Sequence, residues 1–198
     1  KDNKKLADLP QGAKVGTGSL RRTTQLLSYR PDLQIVPMRG NIDTRIKKLT
    51  TDGLDAIILA AAGLFRMGWK DMITEIIDPN ILLPSAGQGA VGIEARQQDI
   101  RVLQAIIGLD DETTHLALEA ERAFLGVLGG GCQVPIAAHA MIEGRKLTLK
   151  ALVGSQDGRR ILRSEKSGLA QNAKNIGDSL GKELLGMGAG EILEAIYK

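Results

Sequence analysis

Apolar and polar residues follow one another along the first half of the chain in blocks that predict strands and helices in alternation. The strand candidates are short apolar runs followed by turn-forming residues, at residues 13–15, 34–38, 56–60 and 90–95. The helix candidates have apolar residues at helical spacing, at Leu20–Tyr29, residues 42–49, 63–67 and 100–107, and a longer stretch through residue 124. Such alternation is typical of βαβ units, and residues 56–60 suit a strand buried on both faces of a parallel sheet.

The pattern changes in the last third of the chain. Three strand candidates are joined by the short turn-forming pairs Gly144-Arg145 and Asp157-Gly158, at residues 136–143, 146–153 and 160–166. Connections of this kind predict an antiparallel sheet, and residues 173–185 and 191–196 read as closing helices. A boundary near Asp110 therefore separates an α/β part from an α+β part.

Composition narrows the class of protein. The chain has 198 residues, of which 43% are apolar and 25% charged, as is ordinary for a globular protein with one large or two small domains. One cysteine excludes an internal disulfide framework and favours a reducing, cytoplasmic compartment. A net charge of +3 with only 3% aromatic residues argues against a base-stacking nucleic-acid binder, and no apolar run is long enough to span a bilayer.

The single cysteine, Cys132, follows three glycines and precedes Pro135 by three residues. Glycines let the backbone take positive φ and approach a bulky group closely, while the proline stiffens the exit from the loop. The thiol is therefore either a reachable anchor or, as for most free cysteines, a small buried apolar group. The loop alone leaves both readings open.

Arginines cluster where predicted strands meet predicted helices. The first turn carries Thr17 and Ser19, followed by Arg21 and Arg22; the start of a helix and its hydroxyl and guanidinium donors together suit a carboxylate or phosphate. A capped helix with two solvated arginines is the alternative.

Two further turns carry the same chemistry. Arg39-Gly40-Asn41 leads into a helix that contains Arg45, and Arg66 lies near the end of the next helix. Because ligands of open α/β sheets bind at the carboxyl ends of the strands, these turns are expected to face one electropositive crevice. His115 and His139 lack metal-ligand spacing, so no metal site is predicted, and Glu119, Glu121 and Arg122 read as solvated ion pairs on one helix.

Five stretches, in this order and spacing, resemble the porphobilinogen deaminase (hydroxymethylbilane synthase) family. They are residues 15–22 (VGTGSLRR), 39–45 (RGNIDTR), 61–68 (AAGLFRMG), 83–94 (LPSAGQGAVGIE) and 130–135 (GGCQVP). The family usually has Ser where Gly18 stands. The resemblance implies an α/β doubly wound domain of the periplasmic-binding-protein type in residues 1–89, and a smaller α+β domain with a three-stranded antiparallel sheet in residues 110–198. Residues 90–109 would return to a first domain that is mostly absent.

The implied activity is that of a transferase of tetrapyrrole (heme) biosynthesis. It would join four porphobilinogen units into hydroxymethylbilane, with release of ammonia, on a dipyrromethane cofactor held by a thioether to Cys132. By the resemblance, the cofactor carboxylates would be held by Thr17, Ser19, Arg21, Arg22, Arg39, Gly40 and Arg45. Substrate would be bound by Arg66, Gln88 and Gly89, the last two near a hinge between domains.

The resemblance also implies what this chain lacks. The family's catalytic aspartate lies in an H-S-x-K-D-x-P segment that would precede residue 1, and Lys1-Asp2 does not match it. No catalytic residue is therefore assigned here, and the chain alone is expected to be inactive. A cytoplasmic monomer with porphobilinogen as its small-molecule partner, and with neither nucleic acid nor membrane as a partner, is the resulting expectation. The missing amino-terminal domain could act as a separate piece.

One other class stays open on the residues alone. A non-catalytic anion-binding module of the periplasmic-binding-protein type would use the same basic turns, although it leaves Cys132 without a role. A covalent pyrrole adduct on the chain would separate the two.

Overall fold

A parallel three-stranded sheet organises the amino-terminal part of the protein in a computed structural model that describes residues 3–129 and 134–197. Its strands are β1 (Lys14–Thr17), β2 (Gln34–Pro37) and β3 (Ala56–Ile57), in the order β2-β1-β3. The predicted α/β class is confirmed for this part. We call it the amino-terminal lobe, together with helices α1 (Leu20–Tyr29), α2 (Ile42–Thr51) and α3 (Ala61–Arg66).

The order of the strands creates a crevice beside β1. The chain runs from β1 through α1 to β2, which pairs with one edge of β1. It then runs through α2 to β3, which pairs with the opposite edge of β1. The connections therefore diverge at the carboxyl ends of β1 and β3, which is where open α/β sheets bind their ligands. Val15 and Leu26, both buried, anchor α1 to the sheet.

Two predicted strands differ in length from the observed ones. Gly16 and Thr17 belong to β1 instead of the predicted turn, because they pair with Val36 and Pro37 of β2. The apolar run at residues 56–60 contributes only two residues to β3, and both are half-buried instead of buried on both faces. Ile58 still donates its N–H to the Gly16 carbonyl at 3.0 Å, and the chain then turns into α3.

The predicted strand at residues 90–95 is wrong. This segment forms no strand, and its apolar side chains are open to solvent, with Val91 72% and Ile93 55% exposed. A strand needs a neighbour to receive its backbone hydrogen bonds, and none of the described strands pairs with this segment. Helix α4 (Ile100–Ile106) forms where predicted, but it has no buried residue.

An antiparallel sheet forms the carboxyl-terminal part, as predicted. Its strands are β4 (Ile136–Glu143), β5 (Lys146–Gly154) and β6 (Ile161–Leu169), in the order β4-β5-β6. Gly144, with φ of 61°, makes the tight turn between β4 and β5. We call this sheet the carboxyl-terminal lobe, together with helices α5 (Glu112–Leu128), α6 (Ala173–Gly186) and α7 (Ala189–Tyr197).

Helices α5 and α6 pack closely over the antiparallel sheet. Phe124 of α5 and Leu180 of α6 are fully buried against Leu147 and Leu149 of β5. Gly177 lets the two helix backbones approach, since a Cβ at that position would lie 2.2 Å from the Ala120 carbonyl oxygen. Burial of these apolar side chains is the main source of stability in the carboxyl-terminal lobe.

Polar contacts hold the two lobes together at three points. The Thr24 hydroxyl of α1 donates to the Ser155 carbonyl at 2.8 Å. Asn80 receives Lys150 Nζ on its side chain at 2.9 Å and Arg163 Nη1 on its carbonyl at 3.0 Å. The third point, at Gly87, belongs to the site described below. Within the described ranges, no helix has both the length and the apolar character needed to cross a membrane.

Candidate anion-binding crevice

A cavity of about 210 Å³ opens at the carboxyl ends of β1 and β3. Arg21 and Arg22 line one wall, Ile58 and Leu59 follow β3 on another, and Gln88 lies at the edge. The lining thus combines an apolar wall with two guanidinium groups and the carboxylate of Glu75, which accepts the Leu6 N–H at 2.7 Å. The two cations outnumber this carboxylate, so the lining suits an organic anion.

The turn between β1 and α1 carries two hydroxyls just before Arg21 and Arg22, although neither Thr17 nor Ser19 lines the cavity itself. Thr17 is buried, and its Oγ1 accepts a hydrogen bond from the Ser19 N–H at 3.3 Å. Ser19 occupies the position before the first residue of α1, but its hydroxyl makes no capping bond. That hydroxyl is therefore not used to cap the helix and can donate to a ligand.

Arg21 lies in the first turn of α1 and is only 6% exposed. Its Nη1 donates to the Leu83 carbonyl at 2.6 Å, and its Nη2 donates to Gln88 Oε1 at 3.1 Å. Burial, and then the charge of Arg22, lower the pKa of Arg21 to about 10. The side chain therefore stays charged at neutral pH, although its burial removes hydration from that charge.

Arg22 is 8% exposed and donates its Nη1 to the Ile58 carbonyl at 2.7 Å. Burial, and then the charge of Arg45, lower the pKa of Arg22. Neither Arg21 nor Arg22 forms an ion pair within residues 3–129 and 134–197. The alternative of two solvated arginines is therefore wrong, and two adjacent buried cations make this crevice attractive to an anion.

The second predicted turn lies beside the first. Arg45 is half-buried, and its Nε donates to the Gly40 carbonyl at 2.7 Å, which fixes the turn before α2. Asn41 caps that helix, as predicted, by accepting the Thr44 N–H at 3.2 Å. The charge of Arg45 contributes to the lowered pKa of Arg22, although Arg45 does not line the cavity itself.

The structure leaves Arg39 and Arg66 in solvent. Both side chains are exposed, and neither lines the cavity that Arg21 and Arg22 share. Arg66 is the last residue of α3. Of the arginines expected to converge from the three turns, only Arg21 and Arg22 of the first turn line the cavity.

Gln88 and Gly89 lie at the end of the loop of residues 83–89, which covers Arg21. Gln88 touches Arg21 directly, whereas Gly89 is exposed and has φ of 97°. The preceding residue, Gly87, has φ of 73° and donates its N–H to Glu121 Oε2 at 2.6 Å. Of the predicted substrate residues, Gln88 is the one brought to the buried arginines.

Sequence reasoning missed two buried polar side chains. Gln25 accepts the Leu83 N–H at 2.7 Å and donates back to the Leu83 carbonyl at 3.1 Å, so it ties the covering loop to α1. It lies four residues after Arg21 on the same helix face, which is the signal that could have found it.

Glu121 was expected in a solvated ion pair, and that expectation is wrong. It is 5% exposed, and its carboxylate accepts the N–H groups of Gly87 at 2.6 Å and Ala140 at 2.8 Å. Its spacing from Phe124 and Leu128 puts it on the buried face of α5, and that spacing is visible in the sequence. His139 Nδ1 lies 3.7 Å from the same carboxylate.

The glycine loop with Cys132 lies outside the described residues, as does Gln133. No metal-binding group of three or more His, Cys, Asp or Glu occurs in the part of the chain that the structure describes. The predicted tether at Cys132 therefore stays a prediction.

Comparison with known proteins gives a consistent result over the whole chain. Residues 1–104 match the family model described as "Porphobilinogen deaminase, dipyromethane cofactor binding domain", and residues 115–186 match the porphobilinogen deaminase C-terminal domain. The porphobilinogen deaminase of Syntrophobacter fumaroxidans is 51% identical over 195 residues, which is 98% of this chain and 63% of that protein.

Other relatives agree. The porphobilinogen deaminase of Desulforamulus reducens is 47% identical over 99% of this chain and 63% of that protein. The one from Roseiflexus castenholzii is 48% identical over 95% of this chain and 62% of that protein. The chain thus spans about 63% of the length of the first of these curated relatives.

Proposed function

Because the chain belongs to the porphobilinogen deaminase family, we propose that the whole protein joins four porphobilinogen units into hydroxymethylbilane with release of ammonia. The observation that supports this assignment is the pair of buried guanidinium groups at Arg21 and Arg22, without ion pairs within the described residues. Porphobilinogen carries an acetate and a propionate group. Carboxylates of this kind complement the two guanidinium groups, which outnumber Glu75, the one carboxylate residue among the described residues that line the cavity.

The chemistry divides the work between binding and proton transfer. Each addition forms a carbon–carbon bond between the aminomethyl carbon of one unit and a ring carbon of the next. The carbon–nitrogen bond breaks, ammonia leaves with an added proton, and the ring carbon loses a proton. Arg21 remains protonated at neutral pH, because its pKa is about 10. The crevice residues therefore bind and orient carboxylates, and proton transfer is assigned to the aspartate that the family resemblance puts before residue 1.

The cofactor fits the donors of the crevice. When bound, a dipyrromethane group supplies the terminal pyrrole to which new units are added. Guanidinium groups and hydroxyls are the donors that its carboxylates require. Arg21 and Arg22 line the crevice, and Thr17 and Ser19 lie in the turn directly before them. We infer that Cys132 is the tether, and that the remaining cofactor contacts come from Arg39, Gly40 and Arg45.

Substrate contacts and domain arrangement belong to the same proposal. Gln88, in contact with Arg21, is the best supported substrate residue, with Gly89 and Arg66 as further candidates. The strand order β2-β1-β3 supports a doubly wound domain of the periplasmic-binding-protein type for residues 1–89. Exposed Val91 and Ile93 support a return of residues 90–109 to a first domain, beside the carboxyl-terminal domain of residues 110–198. A cytoplasmic monomer completes the proposal.

The mass of the intact protein tests the tether and the reaction class together. We expect purified full-length protein, after incubation with porphobilinogen, to exceed its sequence mass by two linked pyrroles. The Cys132→Ser variant is expected to have the bare sequence mass under the same conditions. A bare mass for the wild-type protein would contradict the proposal, and an adduct that persists in Cys132→Ser would contradict the assignment of the tether.

The alternative of a non-catalytic anion-binding module predicts reversible binding and no adduct. The two matched family models, both of a deaminase, favour the enzyme.

A further inference from the structure

Glu121 is a buried carboxylate that joins three separate segments. It projects from α5 and accepts one N–H from Gly87 at 2.6 Å and one from Ala140 of β4 at 2.8 Å. Among the described residues, no lysine or arginine pairs with it, and His139 is the nearest basic side chain at 3.7 Å. A carboxylate in this position is costly to bury, so two backbone donors must compensate for its lost hydration.

The geometry requires a carboxylate of this length. Each oxygen accepts a backbone N–H, and the amide of glutamine can accept only one of the two, because its NH₂ group is a donor. Aspartate is shorter by one methylene group. Glu121 is therefore the fixed point of the loop at Gly87, which has φ of 73°.

The loop held by Glu121 leads directly to the crevice. Gln88, the next residue, accepts Arg21 Nη2 at 3.1 Å, and Leu83 of the same loop accepts Arg21 Nη1 at 2.6 Å. Gln25 secures the loop at Leu83, and Glu121 secures it at Gly87. The guanidinium of Arg21 is thus aligned by a loop that is fastened at both ends.

We propose that Glu121 is a positioning residue for substrate binding, which acts through Gly87 and Gln88 to align the Arg21 guanidinium. This inference rests on the proposed function, since it assigns to Arg21 a substrate carboxylate. Glu121 itself lies in the carboxyl-terminal lobe, so the inference makes the packing of that lobe a determinant of affinity in the other.

Steady-state kinetics of the full-length protein test the inference. We expect Glu121→Gln to raise the KM for porphobilinogen about tenfold, because the loop at Gly87 loses an anchor and no longer aligns Arg21, with kcat changed less than about twofold. Glu119→Gln, an exposed carboxylate on the same helix, is the matched control and should leave both constants unchanged. Equal KM values for Glu121→Gln and wild type would overturn the inference.

A second variant separates positioning from a general loss of stability. Gln88→Ala, at an exposed residue, should raise KM to a similar extent, and adding Glu121→Gln to it should raise KM by no more than about twofold further. Multiplication of the two effects in the double variant would overturn the inference. An unchanged KM for Gln88→Ala alone would also overturn it, and this result can be obtained even if Glu121→Gln does not fold. Absence of bilane from the wild-type protein would instead overturn the proposed function, and the inference with it.

Discussion

Gly18 marks the closest approach of the β1–α1 turn to the end of β2. A Cβ at this position would lie 2.2 Å from the Met38 carbonyl oxygen, a contact that no flexible side chain can relieve. The family usually has Ser at this position, whereas the turn in this protein leaves no room for a Cβ.

Gly18→Ala is expected to lower the free energy of unfolding by about 1–3 kcal/mol, because the turn must move away from Met38. Gly18→Ser should behave in the same way, since it adds the same Cβ. Gly92→Ala, with no atom within 4 Å of the added Cβ, is the control and should cost nothing. Urea denaturation measures the difference, and equal stability of the two alanine variants would show that the turn is not in contact with β2.

Arg21 and Arg22 give the second prediction at this scale. Arg21→Gln and Arg22→Gln should each weaken porphobilinogen binding by roughly ten- to a hundredfold, as expected for a charge-assisted hydrogen bond. Arg145→Gln, at an exposed hairpin residue, is the control. Isothermal titration at low substrate turnover measures these affinities, and an unchanged affinity for both variants would remove the crevice from the proposed site.

The pKa of Arg21 fixes how this binding depends on pH. Burial lowers this pKa from its ordinary value to about 10, so the unfolded chain holds the proton more tightly than the folded one. Stability therefore rises with pH only between these two values, and below about pH 9 the group stays charged. We expect the contribution of Arg21 to substrate affinity, measured as the ratio of wild-type to Arg21→Gln affinity, to be constant from about pH 7 to about pH 9. A ratio that falls steadily over this range would mean that the guanidinium loses its proton there.

Individual residues at the crevice were predictable when they carried their own signal. The charge of Arg21 and Arg22 beside a glycine turn marked them as candidate site residues in the sequence. Their burial could not be predicted, because their hydrogen-bond partners are the backbone carbonyls of Leu83 and Ile58. Backbone acceptors have no side-chain signature in the sequence. The N–H donors of Glu121 also belong to the backbone, so only its spacing from Phe124 and Leu128 on α5 indicates its burial in the sequence.

At the scale of elements, the close packing of α5 against α6 contributes stability that the amino-acid composition does not predict. Gly177 of α6 faces the Ala120 carbonyl of α5, and the space between them admits the glycine hydrogen but not a Cβ. Helices whose backbones approach this closely form many van der Waals contacts, which together stabilise the pair.

Gly177→Ala is expected to destabilise the protein by about 1–3 kcal/mol, although alanine is the better helix former by roughly 1 kcal/mol. Gly126→Ala in α5 is the matched control, because its Cβ would meet nothing within 4 Å. The control should gain stability through helix propensity alone. Thermal denaturation gives both values, and a gain for Gly177→Ala would mean that α5 and α6 do not pack as closely as described.

Helices were predicted better than parallel strands. Leu20–Tyr29 agrees with α1 at both ends, because Pro31 and the apolar spacing are local signals. The runs at residues 56–60 and 90–95 are apolar, but a strand exists only where another strand pairs with it, as residues 56–57 do with β1. The antiparallel strands were predicted well since each one pairs with its neighbour in sequence across a short turn.

At the scale of the whole molecule, the two lobes meet at the tip of the β5–β6 hairpin. Gly158, with φ of 71°, rests on α1, where a Cβ would lie 2.6 Å from the Thr24 carbonyl oxygen and 2.7 Å from Ser28 N. Helix α1 also carries Arg21 and Arg22. The same helix therefore carries the two arginines of the proposed anion site and receives the other lobe.

Gly158→Ala is expected to separate the unfolding of the two lobes, because it adds a clash at their contact to the cost of a positive φ. Gly53→Ala is the matched control, because Gly53 has φ of 63° and no atom within 4 Å of the added Cβ. It should lower the free energy of unfolding by only about 1–2 kcal/mol. Calorimetry should resolve two transitions for Gly158→Ala and one for the control. A single transition with the same shift in both variants would contradict the role of the hairpin tip.

The contacts of Arg21 also bear on the order in which the protein acquires its structure. Its partners Leu83 and Gln88 lie 62 and 67 residues further along the chain, whereas the antiparallel sheet is built from adjacent segments. Closing long loops is slow compared with forming hairpins. During synthesis, α1 would emerge long before the loop that covers its arginines, and the crevice would be the last part of the amino-terminal lobe to become native.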